Sequence, residues 1–125
     1  MSNKLELIRK KVEAIQHGLL RFSEGTMRQT MQVKALAGNE SGVNFIIKDE
    51  GHKTSLLNRE VNLIQKKDDD YLYISGEVDE EVKAKDKTIS LKIIKAFWFT
   101  RKKKGNAIWL QEKFTYMRDD MEKAS

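Results

Sequence analysis

Phe45-Ile-Ile-Lys-Asp-Glu-Gly-His-Lys-Thr-Ser-Leu-Leu-Asn-Arg-Glu-Val-Asn-Leu-Ile-Gln-Lys-Lys-Asp-Asp-Asp-Tyr-Leu-Tyr-Ile-Ser-Gly-Glu-Val78 is the stretch whose reading decides the fold. Its opening apolar run, Phe45, Ile46 and Ile47, suits a strand covered on both sides. Asp49, Glu50 and Gly51 break that strand. His52 to Arg59 reads as a short helix with Leu56 and Leu57 pointing inward. Val61 to Lys66 and Tyr71 to Val78 then alternate as strands, joined by the polar turn Lys67 to Asp70. Gly76 interrupts the second of them, which marks a bulge or a close approach of two backbones.

Working outward, the N-terminal side begins with an amphipathic helix over residues 3–16. Leu5, Ile8, Val12 and Ile15 recur at helical spacing, with Arg9, Lys10 and Glu13 on other faces. Asn3 is placed to cap it, with Glu6 three residues on, and Gly18 to end it, with His17 in its last turn. The period then changes to two. Leu20 and Phe22 alternate with Arg21 and Ser23, and after the turn Glu24-Gly25-Thr26 a second strand runs from Met27 to Leu36. Met27, Met31, Val33 and Ala35 share one of its faces. Residues 37–42 form a loop before the strand Val43 to Lys48. On the C-terminal side, residues 79–87 are charged and fit either a loop or a short helix. Thr88 to Thr100 is a long strand with Ile89, Leu91, Ile93, Phe97 and Phe99 on one face. Arg101 to Asn106 is a basic turn, and Ala107 to Met117 returns.

About seven short antiparallel strands in a chain of 125 residues suggest a closed or partly closed barrel, because closure removes exposed edges. The expected architecture is mainly β: one antiparallel split-barrel domain over residues 1–125, with an N-terminal helix and one short helix. A chain this long buries roughly two thirds of its unfolded surface, enough for one core. Hydrophobic residues make up 39% and charged residues 34%, a balance that suits a thin protein or one hiding part of its core in a subunit interface.

Composition also excludes chemistry. There is no cysteine, so disulfides and cysteine-ligated metals are ruled out. The two histidines, His17 and His52, lie far apart, so no metal site is expected. No nucleophile–base pair, paired-carboxylate arrangement, phosphate loop or dinucleotide fingerprint is visible. The charged N-terminus has no apolar stretch of the kind that targets or anchors a chain. A cytoplasmic location without membrane contact is the expectation. The net charge of +5 is compatible with an anionic ligand, but acidic clusters interrupt it, and nucleic acid is not the expected partner.

The order of elements, together with Phe45, Lys53, Leu57, Val61-Asn62-Leu63 and Ile74-Ser75-Gly76, resembles the pyridoxamine 5'-phosphate oxidase-like family of flavin-binding split barrels. The resemblance covers roughly residues 4–80. It implies flavin mononucleotide (FMN) as cofactor, a flavin-dependent oxidoreductase, and a homodimer with the flavin between subunits. Carried over residue by residue, Lys53 matches the phosphate-binding lysine and Arg28 the arginine of the second strand. His52, beside Lys53, is placed to donate to the phosphate or to a flavin edge. Thr54 offers a hydroxyl at a shifted offset, because Ile47 and Gly51 stand where the family commonly has hydroxyl residues. No catalytic residue follows from the pattern.

Two other classes compete. A non-enzymatic split barrel that has lost flavin and binds another ligand or a protein accounts for Ile47 and Gly51. A basic nucleic-acid-binding β-domain rests on net charge and the run Arg101 to Lys104. Trp98 and Trp109, near that run, suit core or interface packing as well as stacking on a ring.

Overall fold

Alternating apolar and polar residues organise the chain as α1 (Asn3–Ile15), β1 (His17–Glu24), β2 (Met27–Leu36), β3 (Gly42–Ile47), β4 (Glu60–Lys67), β5 (Asp70–Lys83), β6 (Lys87–Lys104) and β7 (Ala107–Met117). The structure is a computed structural model that describes residues 3–36, 42–48, 55–83 and 86–118. All strand pairs are antiparallel. β1 lies between β2 and β4, β2 pairs with β3, β4 with β5 and β5 with β6, and β3 closes the ring on β6. The result is a closed six-stranded barrel, a β-barrel as the strand pattern suggested, with β7 added to the outer end of β6.

Inward positions follow the period of two. Leu20, Phe22, Met31, Val33, Phe45, Leu63, Leu72, Ile74 and Leu91 fill the core. α1 packs on β2, β3 and β4 and contributes Ile8, Val12 and Ile15 to that core. The helix stops one residue before the position expected. Gln16 adopts a left-handed φ of 72° and returns its N–H to the Val12 carbonyl at 2.9 Å. His17 and Gly18 therefore begin β1 rather than end the helix. Gly18 is needed for a different reason: a Cβ there would lie 2.8 Å from Gln65 Cγ and 3.0 Å from the Ile64 carbonyl oxygen. Gln65, fully buried, donates to the Val12 carbonyl at 3.2 Å and ties the helix end to β4.

Three extra residues explain where faces differ from the simple alternation. Ser75 pairs with Lys95 and Gly76 with Ile93, so Ile94 is a bulge. Ile89, Leu91 and Ile93 point inward as expected. Beyond the bulge the parity flips: Ala96 is buried, while Phe97 and Phe99 stand outward beside Tyr73 and Tyr71. Gly76 sits at this irregularity, where a Cβ would meet the Lys92 carbonyl oxygen at 2.8 Å. Asp79 is the second extra residue, between the pairs Val78–Leu91 and Glu80–Ser90. The third is Lys113 in β7, between Phe114 opposite Trp98 and Glu112 opposite Phe99.

Other expectations change in detail. Met27 is exposed, at the hairpin end. β3 alternates, with Asn44 and Ile46 only partly buried. The charged segment after Val78 is neither loop nor helix but strand as far as Lys83. Of the short helix expected over 52–59, residues 52–54 lie outside the described residues, and 55–59 form a turn. Leu56 is fully buried there, whereas Leu57 is exposed. The basic segment is a strand up to Lys104, turning only at Gly105 and Asn106.

Two carboxylates fasten these parts together. Asp70 accepts from Lys11 Nζ at 2.8 Å, Thr100 Oγ1 at 3.0 Å and Trp98 Nε1 at 3.2 Å. Lys11 also lies 4.4 Å from the centre of the Trp98 ring. The Lys11 ammonium holds the Asp70 carboxyl below its ordinary range; burial opposes this, and Trp98 and Thr100 reinforce it. Glu81 accepts from the Leu56 N–H at 3.0 Å and Ser55 Oγ at 2.9 Å, and pairs with Lys87 at 3.1 Å. The Asp79 bulge turns Glu81 onto the row of Ile89. Burial alone would raise its pKa, but the Leu56 N–H, Lys87 and Ser55 together bring it below the ordinary value.

Candidate functional site

Because Leu20 and Phe22 point into the barrel, Arg21 must point out. Its neighbours across the ladders are Thr30 on β2 and Asn62 on β4. The tight turn at Gly25 sets Ser23 opposite Arg28, so Arg28 shares the outward face of Arg21. Arg59, just before β4, reaches across and donates from Nη1 to the Ser23 carbonyl at 3.2 Å. The three arginines line a cleft of about 580 Å³ together with Glu60, Asn62 and Tyr73. Three arginines against one glutamate leave it a net charge of +2.

Glu60 accepts a long hydrogen bond from Ser75 Oγ at 3.4 Å. The cleft volume falls within the usual range for small-molecule sites. Guanidinium groups present planar forks that match phosphate or carboxylate oxygens, so the chemistry available here is recognition of an anion. Tyr73, 6.3 Å from Phe97 between ring centres, connects the cleft to the outward aromatic row.

A second cleft of about 450 Å³ adjoins it along β1. Leu19 and Ile64, paired across β1 and β4, form an apolar floor, and His17, Lys48 and Lys66 stand around it. Lys48 Nζ lies 3.3 Å from His17 Nδ1. The outward face of β1 therefore runs from an arginine cluster over apolar side chains to a second group of basic residues.

Of the residues singled out from the sequence, the structure places Arg28 in the arginine cleft. His52, Lys53 and Thr54 lie outside the described residues. Ile47, where the family pattern has a hydroxyl, is buried in the core. Arg21 and Arg59 were not anticipated. The hairpin alone could have given Arg21, since the turn at Gly25 fixes which residues share its face. Arg59 depends on the pairing of β4 with β1, which no local signal announces.

Trp98 partly joins the core and donates to Asp70, whereas Trp109 stands exposed on β7. Among the described residues there is no cluster of three His, Asp or Glu residues that could hold a metal ion. No helix among them is long and apolar enough to cross a membrane. Scanned against protein-family models and against curated proteins, the sequence matches none.

Proposed function

We propose that the chain is an FMN-binding split-barrel protein of the pyridoxamine 5'-phosphate oxidase-like type, whose flavin phosphate sits in the cleft of Arg21, Arg28 and Arg59. The observation that carries this reading is that three arginines line one cleft, with Arg28 where the resemblance asks for an arginine. The donor set fits a phosphate: a dianion needs fixed cations, and two or three forks supply charge and direction together. Tyr73 adds an aromatic surface beside it. Bound flavin would supply redox chemistry; the chain's own residues bind and orient. On this reading Lys53, His52 and Thr54 are the further flavin-binding residues that the resemblance implies, and the protein is a cytoplasmic homodimer acting as an oxidoreductase.

The burial of Ile47 favours a second reading, a split barrel that keeps the anion cleft and binds a phosphorylated ligand other than flavin.

Titration of the purified protein with FMN and with riboflavin, followed by flavin fluorescence quenching, separates the two. A charge-assisted contact to phosphate contributes about 1.5–3 kcal/mol, so Arg28→Ala or Lys53→Ala should weaken FMN roughly tenfold to a hundredfold and riboflavin far less. Equal losses for both flavins would remove these residues as phosphate anchors. No binding of FMN by the wild-type protein would leave the second reading.

A further inference from the structure

The outward side chains of β1 pass from the arginine cleft to the second cleft in steps of two residues, Arg21, Leu19 and His17. At Leu19 the face changes character. Leu19 is 43% exposed, a large apolar side chain between charged and polar neighbours on its face. It opposes Gln32 on β2 and Ile64 on β4. The row ends at Lys48, just past β3, whose N–H donates to the Gln32 carbonyl at 2.9 Å. One step further along the strands, His17 follows on β1 and Lys66 on β4.

The basic groups around this floor are held by neutral partners. Lys48 Nζ lies 3.3 Å from His17 Nδ1, and Lys66 Nζ lies 5.6 Å from the centre of the Tyr71 ring. Neither lysine forms an ion pair among the described residues. An ammonium is only a donor, so His17 Nδ1 accepts and Nε2 carries the ring proton, a further donor. The cleft of about 450 Å³ thus joins an apolar floor to two lysines, with no acid in its lining.

We propose that the second cleft binds an organic carboxylate with a flat apolar body, the body across Leu19 and Ile64 and the charge toward Lys48, Lys66 and His17. Adjacent strands lie about 4.8 Å apart, so two floor side chains match the breadth of one or two fused rings. Along the strands the floor is one residue deep, since Arg21 and Asn62 stand before it and His17 and Lys66 after it. That shape suits a ring laid across β1 better than a chain laid along it. Covering the exposed apolar floor supplies affinity, and the lysines act as point charges that fix which end of the ligand faces them. The cleft shares no lining residue with the arginine cleft, so the proposal stands whether or not flavin binds there.

Calorimetric titration of the full chain with 2-naphthoate tests it. One molecule should bind with a Kd below about 1 mM. Acetate, the charge without the body, and 2-naphthalenemethanol, the body without the charge, should each bind at least about tenfold more weakly. Lys48→Met and Lys66→Met replace exposed side chains and keep their apolar stems; together they should raise the Kd about tenfold. Leu19→Ser should weaken 2-naphthoate about threefold to tenfold. Thermal melts of these variants should coincide with the wild type, which separates lost binding from lost fold. In NMR spectra the amides of Gly18, Leu19 and Ile64 should move on addition of 2-naphthoate, and that of Arg28 should not. No binding of 2-naphthoate, equal binding of the alcohol, or indifference to the double lysine change overturns the proposal. Displacement of 2-naphthoate by FMN overturns it too, because the cleft would then belong to the flavin site.

Discussion

Asp70 holds the helix to the sheet, and its replacement by Asn tests whether that clamp stabilises the fold. Its carboxylate accepts from Lys11, Thr100 and Trp98, which lie on α1 and β6. Lys11 and Asp70 side chains are 23% and 29% exposed, so the pair is shielded but not dry. Asn keeps one oxygen to accept from Thr100 or Trp98 and loses the charge facing Lys11. A hydrogen bond to a charged group contributes about 1.5–3 kcal/mol, and partial exposure trims it, so Asp70→Asn should cost about 1–2 kcal/mol at pH 7. For a domain of this size that is a drop of about 4–8 °C in Tm.

The pH dependence has a definite sign. The folded-state pKa of Asp70 is lowered, so its contribution is fully present above the unfolded carboxylate value and is lost as pH falls through the folded value. Urea denaturation of wild type and variant should show a constant gap from pH 7 down to about 5. The gap should close progressively below about pH 4. Lys11→Met in a double-mutant cycle should couple to Asp70→Asn by about 1 kcal/mol. Equal stabilities at pH 7, or a gap that survives undiminished to the lowest pH at which both proteins fold, would refute the clamp.

The other expectations are simpler. Glu81→Gln breaks the nearly buried pair with Lys87 and loosens the turn at Ser55 and Leu56, and should cost about 2–4 kcal/mol by chemical denaturation at neutral pH. Since Glu81 too has a lowered folded pKa, that loss should also shrink as pH falls below the ordinary carboxylate range. Replacing Lys102, Lys103 and Lys104 together with Ser should change stability by less than about 1 kcal/mol, because these cations form no ion pair described in the structure. The same triple variant should leave nucleic-acid binding as weak as in the wild type, measured by fluorescence anisotropy at physiological salt. A steep salt-dependent affinity in the wild type that the variant abolishes would make nucleic acid the partner.

Most strands could be read from alternation because one face of each is core and the other is not. Gly76 marked an irregularity that the structure has; what escaped was which strand carries the extra residue there, and the bulges at Asp79 and Lys113. Ile89 to Ile93 point inward as the period predicts, but Ile94 is extra, and every later side chain of β6 changes face. Gly76 gave the one local sign of it. The sequence could not say that the extra residue lay on the partner strand, because a bulge is a property of a pair. The segment from Asp79 to Lys83 looked too charged for a strand. It is one because the Asp79 bulge turns Glu81 beneath the turn at Leu56, where Lys87, Ser55 and a backbone N–H satisfy it. Composition records the charge but not the partner that makes it tolerable.

The arginine cleft shows the same division between local and distant information. Arg21 and Arg28 belong to one hairpin, and the turn at Gly25 alone places them on one face, with Ser23 opposite Arg28. Arg59 joins them only because β4 crosses back to pair with β1, through Leu19–Ile64, Leu20–Leu63 and Arg21–Asn62. That pairing is set by the buried residues of both strands, since a slip of one residue would turn Leu63 and Leu20 out of the core. The charge cluster is therefore a consequence of core registry: three cations that repel one another are held together by apolar contacts on the opposite side of the same strands. Three cations that share a cleft with a single glutamate gain most from a ligand that carries negative charge. That is the physical reason to look for an anion at this face before any other.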